Sequence, residues 1–202
     1  LGDSQDVLCY GDNTGIINIH SDGGQLPHYY SIDGGSSYVT GSYFSGLYAD
    51  DTPGYQIAVI DHYGCETIGE FVPISQPDSL SVDAVNITNV EDCWGDDDGI
   101  IEISVTGGIT NYNYSINNGG TYHNNGGLFT NLEPDIYYVK VQDSNFCTAF
   151  WDEDGDQFID PVEITQPTRI QINEVITDAI LCNGDNNGRI EIDAEGGTGS
   201  LH

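Results

Sequence analysis

Apolar and polar residues alternate along this chain in short runs, and each run stops at turn-forming residues. Tyr55-Gln56-Ile57-Ala58-Val59-Ile60-Asp61 and Tyr137-Tyr138-Val139-Lys140-Val141-Gln142-Asp143 carry the two-residue period of a strand with one buried face. Ile16-Ile17-Asn18-Ile19 and the run from Gly99 to Val105 read the same way. His28–Ile32 ends at Asp33-Gly34-Gly35, and Tyr112–Ile116 ends at Asn118-Gly119-Gly120. An Asp-Gly or Asn-Gly step between strand-like runs predicts a hairpin turn, because both residues accept a positive φ. Leu80–Val82 leading to Ile87–Val90, Phe71–Ile74 and Val162–Ile164 supply further strands. No stretch carries a helical period. About seven short strands per segment, punctuated by turns, predict an all-β chain of tandem Ig-like β-sandwich repeats in an extended array.

The repetition is literal. Cys9-Tyr10-Gly11-Asp12-Asn13-Thr14-Gly15 returns as Cys93-Trp94-Gly95-Asp96-Asp97-Asp98-Gly99 and as Cys182-Asn183-Gly184-Asp185-Asn186-Asn187-Gly188, at spacings of 84 and 89 residues. An alternating strand follows each copy, and Gly23-Gly24, Gly107-Gly108 or Gly196-Gly197 ends it. A fixed period of this kind means stacked repeats. The frame divides the chain into repeat one, residues 1–78, repeat two, residues 79–168, and the start of an incomplete repeat three, residues 169–202. Such a third repeat leaves apolar strand residues uncovered, so the chain is expected to be part of a longer one. Leu47, Pro53 and Tyr55, and again Leu132, Pro134 and Tyr137, suggest a tyrosine corner, in which the phenol ties back to nearby backbone. Gln76-Pro77 and Gln166-Pro167 mark the passages between repeats. Linkers that short predict a semi-rigid array.

Charge removes several classes of function. The chain holds 33 Asp and Glu against three Lys and Arg, a net charge of −30. Nucleic acid is an unsuitable partner, because binding it requires Lys and Arg to displace counterions. An anionic membrane surface is unsuitable for the same reason, and no apolar run is long enough to span a bilayer. A 38% hydrophobic content and 13 Tyr argue against disorder.

The five cysteines follow the repeat frame. Cys65 and Cys147 hold matching late positions, and Cys182 matches Cys9 and Cys93. Four cysteines allow three pairings. Repeat equivalence favours Cys9–Cys65 and Cys93–Cys147, with buried free thiols as the other reading. Each bridge would stabilise by about 4 kcal/mol, and disulfides imply an oxidising, extracytoplasmic setting. The partner of Cys182 would lie beyond repeat three's last residue in this sequence.

The combined pattern resembles the SprB repeat. It runs Cys-x-Gly-Asp-x-x-Gly, Gly-Gly, Tyr-x-Tyr-Ser-Ile, Tyr-x-Val-x-Val-x-Asp, Cys and Ile-x-Gln-Pro. Repeat two carries it on Cys93, Gly95, Asp96, Gly99, Gly107, Gly108, Tyr112, Tyr114, Ser115, Ile116, Tyr137, Val139, Val141, Asp143, Cys147, Ile164, Gln166 and Pro167. Repeat one follows it nearly as well, and repeat three follows it to Gly197. SprB repeats occur in very large surface adhesins of gliding Bacteroidetes exported by the type IX secretion system. The resemblance therefore implies a non-enzymatic segment of a secreted, outer membrane-anchored adhesin or stalk, acting in surface attachment or gliding. Its implied partners are an extracellular surface or polysaccharide and further repeats of the same chain. A carbohydrate-binding module array and a structural filament subunit are the alternatives.

Repeat two contains an insertion. Cys65 and Pro77 are 12 residues apart, whereas Cys147 and Pro167 are 20 apart. The extra segment includes Asp152-Glu153-Asp154-Gly155-Asp156-Gln157-Phe158-Ile159-Asp160. Carboxylates at alternate positions of a tight loop suit a hard cation that takes six to eight oxygens. The expected Ca²⁺ ligands are Asp152, Asp154, Asp156, the Phe158 carbonyl, Asp160 and Glu163. Gly155 stands fourth rather than sixth, and Pro161 ends the loop, so the match to a helix-flanked calcium loop is partial. The ordinary reading is an acidic loop tip. Asp12, Asp96, Asp98 and Asp185 could also hold cations, although Asp and Gly are expected in any sharp turn. Trp94, Trp151, Tyr43 and Tyr122 could stack on sugars or cover the core edges. Asp78-Ser79-Leu80 resembles a Bacteroidetes O-glycosylation acceptor, with Ser79 as the site. His-Glu-x-x-His and Gly-x-Ser-x-Gly are missing, and no pair of carboxylates stands apart as catalytic.

Overall fold

The computed structural model describes residues 2–198, so His202 lies outside the described residues. Every regular element among the described residues is a strand. The chain folds as two compact units. Unit 1 comprises Leu1–Ser81, Val105–Tyr112 and Gln142–Ala149; unit 2 comprises Val82–Ser104, Asn113–Val141 and Phe150–His202.

Unit 1 holds β1 (Asp3–Gln5), β2 (Gly15–Asn18), β3 (Tyr29–Ser31), β4 (Tyr43–Leu47), β5 (Asp50–Ile60) and β6 (Glu66–Ile74). They form two antiparallel three-stranded sheets, ordered β1-β2-β4 and β3-β5-β6. The alternation in β2 sends Ile17 inward and leaves Ile16 and Asn18 half-buried. Ile17 and Ile19 from one sheet meet Ile57 and Ile74 from the other, with Val7 joining them, and Tyr30, Phe44, Leu47 and Tyr55 pack around this cluster. Two sheets sharing one apolar layer make a β-sandwich.

The remaining elements are β7 (Ser81–Thr88), β8 (Gly99–Thr106), β9 (Asn113–Ser115), β10 (Leu128–Leu132), β11 (Ile136–Tyr138), β12 (Lys140–Gln142), β13 (Thr148–Phe150), β14 (Pro161–Glu163), β15 (Gln171–Asp178) and β16 (Arg189–Glu195). Sheets run β10-β8-β7, β13-β12-β9 and β11-β14, and β15 pairs with β16 in a separate hairpin. Val90, Ile101, Ile103, Tyr114, Val139, Val141, Val162 and Ile164 are buried in unit 2. On the β15–β16 hairpin, Ile172, Val175, Ile176, Ile190 and Ile192 are exposed, as two strands without a facing sheet must leave them.

Both tyrosine corners are present. The Tyr55 hydroxyl donates to the Tyr48 carbonyl at 3.0 Å, and the Tyr137 hydroxyl donates to the Glu133 carbonyl at 2.8 Å. Burial, aided by the Asp50 charge on one side and by the Asp135 and Glu133 charges on the other, raises both phenol pKa values. These features place the first two repeats in the Ig-like sandwich class.

Two sequence expectations change in detail. The run Tyr137–Asp143 is one strand by pattern but two in the structure, broken at Val139, whose carbonyl accepts the Trp151 N–H at 3.1 Å. The Asp33-Gly34-Gly35 turn does not link a two-stranded hairpin. β3 pairs with β5, and the turn closes through the single bridge between Tyr30 and Val39. Side chains determine this turn. Buried Ser31 donates to Asp33 Oδ1 at 2.6 Å, and Ser37 donates to the same carboxylate through its N–H and its hydroxyl. These donors, Ser31 first, hold the Asp33 carboxyl down from 3.8 to about 2. Asn117 takes the same place in repeat two, accepting from Ser115 at 2.8 Å and from the Thr121 N–H at 2.9 Å. A depressed carboxyl contributes stability that is present above pH 4 and lost as pH falls through 2. Acidification from about pH 4 to about pH 2 is therefore expected to lower the amide protection factor, exchange corrected for its intrinsic pH dependence, at Ser37 and leave that at Thr121 unchanged. An equal fall at both would refute this account.

Gly15 and Gly99 open β2 and β8 at close approaches. A Cβ on Gly99 would lie 2.7 Å from the Leu132 carbonyl oxygen and 2.9 Å from Ile164 Cγ2; on Gly15 it would lie 2.8 Å from Leu47 O and 2.8 Å from Ile74 Cγ2. Gly99→Ala is expected to cost about 1–3 kcal/mol through overpacking. A lower urea midpoint at unchanged slope is the readout.

Candidate functional site

The Cys-x-Gly-Asp turn is moored to the end of its own repeat. In repeat one the Gly11 N–H donates to Gln76 Oε1 at 2.7 Å, and Val7 N–H donates to the Ser75 carbonyl at 2.9 Å. In repeat two the Gly95 N–H donates to Gln166 Oε1 at 2.7 Å, and Val90 N–H to the Thr165 carbonyl at 3.0 Å. The Gln of each Gln-Pro pair thus holds the turn that carries Cys9 or Cys93. Each turn closes on itself, through Asp12 N–H to Cys9 O and Asp96 N–H to Cys93 O, and Asp185 N–H to Cys182 O repeats the bond.

The second cysteine of each repeat sits on a different turn, organised by an aspartate four residues earlier. Asp143 is buried, and its Oδ1 accepts the Asn145 and Cys147 N–H groups at 2.8 and 2.9 Å. Its Oδ2 accepts the Ile109 N–H at 2.9 Å, just past Gly107-Gly108. Asp61 does the same for Tyr63, Cys65 and Gln25, just past Gly23-Gly24. The backbone donors, Gln25 first, lower the Asp61 pKa. The strand motif includes both aspartates, but the sequence does not reveal this clamping role. The Asp-x-x-x-Cys spacing was the available signal.

These moorings correct the expected disulfides. Cys9 is bonded to Cys147, at a Cα–Cα distance of 5.7 Å, whereas Cys65, Cys93 and Cys182 are exposed free thiols. Neither Cys9–Cys65 nor Cys93–Cys147 forms. The reason is visible in repeat one. Cys9 precedes β2 and is held at residues 75–76, whereas the Cys65 turn is tied to Gln25, beyond the far end of that strand. Four strand residues alone span about 10 Å, and a disulfide needs Cα atoms within about 7 Å. The exit end of repeat one, by contrast, is where repeat two enters. Gly108 N–H donates to the Asp78 carbonyl at 2.9 Å, and Asn145 Nδ2 donates to the Leu8 carbonyl at 2.9 Å. Cys9 and Cys147 therefore meet within unit 1, beside Ser79, Leu80 and Phe146. Ser79, the glycosylation candidate, is exposed there.

The acidic insertion brings together half of its expected ligand set. Ligand oxygens of Asp152, Asp154 and Asp156 lie within 4.8 Å of one another. They also fold the loop: Asp152 accepts the N–H groups of Gly155, Asp156 and Gln157, and Asp156 accepts that of Phe158. Asp160 is turned to the Glu153 N–H at 2.6 Å, and Glu163 lies on β14 opposite Ile136. Neither belongs to the carboxylate group, and Asp12, Asp96, Asp98 and Asp185 form no such group among the described residues.

Of the aromatic candidates, Trp94 and Tyr43 are exposed, and Trp151 and Tyr122 are half-buried. The Arg169 guanidinium stands 5.2 Å from the Trp94 ring centroid and occupies one of its faces. A cleft of about 410 Å³ in unit 1 is lined by Ile57, His20, Asp22, His28, Asp61 and Glu70, among others, with His28 Nδ1 and Ser21 Oγ 2.8 Å apart.

Repeating sandwiches with moored cysteine turns define a class of tandem β-repeat. The SprB repeat family matches residues 1–37, 84–121 and 173–200, together half of the chain, and the chain belongs to that family of cell-surface adhesin repeats. No curated protein matches the chain. Among solved structures, it is similar to the C-terminal 282-residue fragment of intimin in complex with the translocated intimin receptor intimin-binding domain, at 13% identity and a TM-score of 0.37. That likeness covers 79% of this chain and 60% of the intimin fragment. No helix among the described residues is long and apolar enough to cross a membrane.

Proposed function

We propose that the chain is a non-enzymatic segment of a large secreted adhesin or stalk, anchored at the outer membrane. Its sandwiches, at 1–78 and 79–168, with a third repeat begun at 169–202, form a semi-rigid array serving surface attachment or gliding, with type IX secretion as the export route. The observation that carries this reading is a family match recurring three times along a chain whose first two repeats share a covalent bond. A bond between repeats limits their relative motion, which suits a stalk that transmits load. The charge of −30 keeps such a stalk soluble and extended. Its partners are an extracellular surface or polysaccharide and neighbouring repeats. Beads coated with the chain are expected to be retained on glass or polysaccharide films, and free chain should compete them off. Absence of retention on every surface tried would defeat the reading.

We also propose that Asp152, Asp154 and Asp156 hold a structural Ca²⁺, with remaining oxygens from the loop and water. Calcium at 100 times its dissociation constant is expected to stabilise the folded chain by about 2.7 kcal/mol. Combined Asp152→Asn, Asp154→Asn and Asp156→Asn changes should abolish that gain in a melting experiment. A melting temperature that does not respond to calcium would exclude the site.

A further inference from the structure

We infer that Cys93 is the receiving thiol of a second inter-repeat disulfide, and that its partner is the Asp-clamped cysteine of the repeat that follows. The inference rests on the tandem-array reading. Two arrangements in the structure carry it.

The first is the completed bond between Cys9 and Cys147. It joins two turns of different kinds: an exit turn held by a Gln-Pro glutamine, and an entry turn held by an aspartate. Cys93 lies on an exit turn with the same bonds, and Cys65 lies on an entry turn with the same clamp. Neither has a complementary turn available in its own repeat, so both thiols stay free and exposed.

The second is the surroundings of Cys93. At the finished bond, Gly107 and Gly108 press against Ser79 and Leu80, with a virtual Cβ on Gly107 only 1.9 Å from Ser79 O. Within unit 2, Gly196 and Gly197 press against Arg169 and Ile170 in the same way, with the corresponding distance 2.1 Å and Gly197 N–H bonded to the Thr168 carbonyl at 2.7 Å. Cys93 and Trp94 face this second entry across a cavity of about 390 Å³, lined also by Arg169, Ile170, Gly197 and Thr198. Thr198 is the counterpart of Ile109, whose N–H ties down the Asp143 turn. The cavity thus lies where an Asp-x-x-x-Cys turn of repeat three would attach. By the same logic, Cys65 serves the exit cysteine of a preceding repeat, and Cys182 the entry cysteine of a fourth.

Bond formation converts two thiols into one disulfide and releases two protons and two electrons. An exchangeable disulfide, such as oxidised glutathione, takes up both and leaves as two thiols. The product is a chain of staggered links in which every junction between repeats is clamped.

Peptide mapping without reduction tests this in the protein as its cell makes it. The Cys93 peptide is expected in disulfide linkage to a peptide carrying Asp-x-x-x-Cys from the next repeat. Recovery of Cys93 as a free thiol, or bonded to Cys147, would overturn the inference. A second measurement uses the chain with one extra copy of residues 79–168 inserted after residue 168, the copy marked by Thr148→Ser. Cys93 should then link to the copy's marked cysteine peptide while Cys9–Cys147 is retained. A Cys93 that stays alkylatable beside an intact Cys9–Cys147 bond would also overturn it. Cross-linked Cys93 with no surface retention would sink the attachment reading alone; free Cys93 with retention would sink this one alone.

Discussion

Reducing the Cys9–Cys147 bond is expected to lengthen the chain markedly under load. The bond spans 138 residues of sequence, and at about 3.6 Å per extended residue it withholds roughly 500 Å of contour from a pulling force. Single-molecule stretching from the two chain ends should show that length only after thiol treatment or in a Cys147→Ser variant. Closing a loop of this size also restricts the unfolded chain, by about 5 kcal/mol on the chain-entropy account for the 138-residue separation. Melting of Cys147→Ser should therefore fall well below the parent, and the reduced parent should match it. Identical extension and melting with and without the bond would show that it bears no load and adds no stability. On the proposed stalk function, a chain that cannot pay out its first repeats would stay short and stiff under shear.

The second large effect belongs to Asp143. Its carboxylate satisfies three backbone donors, from Ile109, Asn145 and Cys147, away from water. Asp143→Ala leaves all three without that partner and is expected to cost about 3–5 kcal/mol, since each unsatisfied buried donor costs about 1–3 kcal/mol. Asp143→Asn should cost less, because its Oδ1 still serves Asn145 and Cys147 and only the Ile109 N–H meets an amide donor. Asp61→Ala should also be milder, because Asp61 is only half-buried and water can replace it. Urea unfolding orders the three variants. The rate at which Cys9–Cys147 re-forms from reduced protein should fall in the same order, since the turn presents the thiol. An Asp143→Ala variant with the parent's midpoint would remove the clamp from the account.

The strands were legible because their physics is local. Period-two alternation at Ile17, Ile19, Ile101 and Ile103 places these residues in the core without reference to distant chain. The tyrosine corners were legible for a similar reason, since Tyr55 and Tyr137 reach only seven and four residues back. The Gln76 and Gln166 side chains were not, because they reach 65 and 71 residues to their glycine N–H partners. The acidic loop was partly legible. Alternating Asp152, Asp154 and Asp156 converge as their spacing implies, but Asp160 and Glu163 follow the strand ladder and the loop's own N–H groups instead.

The sequence by itself determined that this protein is an all-β repeat of SprB type, acidic and rich in turns, because alternation, glycine placement and charge act within a few residues. Only the tertiary structure decided which cysteines join. Repeat equivalence identifies cysteines of the same kind but carries no information on which end of a sandwich each kind occupies. That depends on long-range hydrogen bonds, which hold Cys9 at the end of repeat one where repeat two enters and Cys65 on a turn tied to Gln25, so that Cys9 meets Cys147 rather than the cysteine of its own repeat.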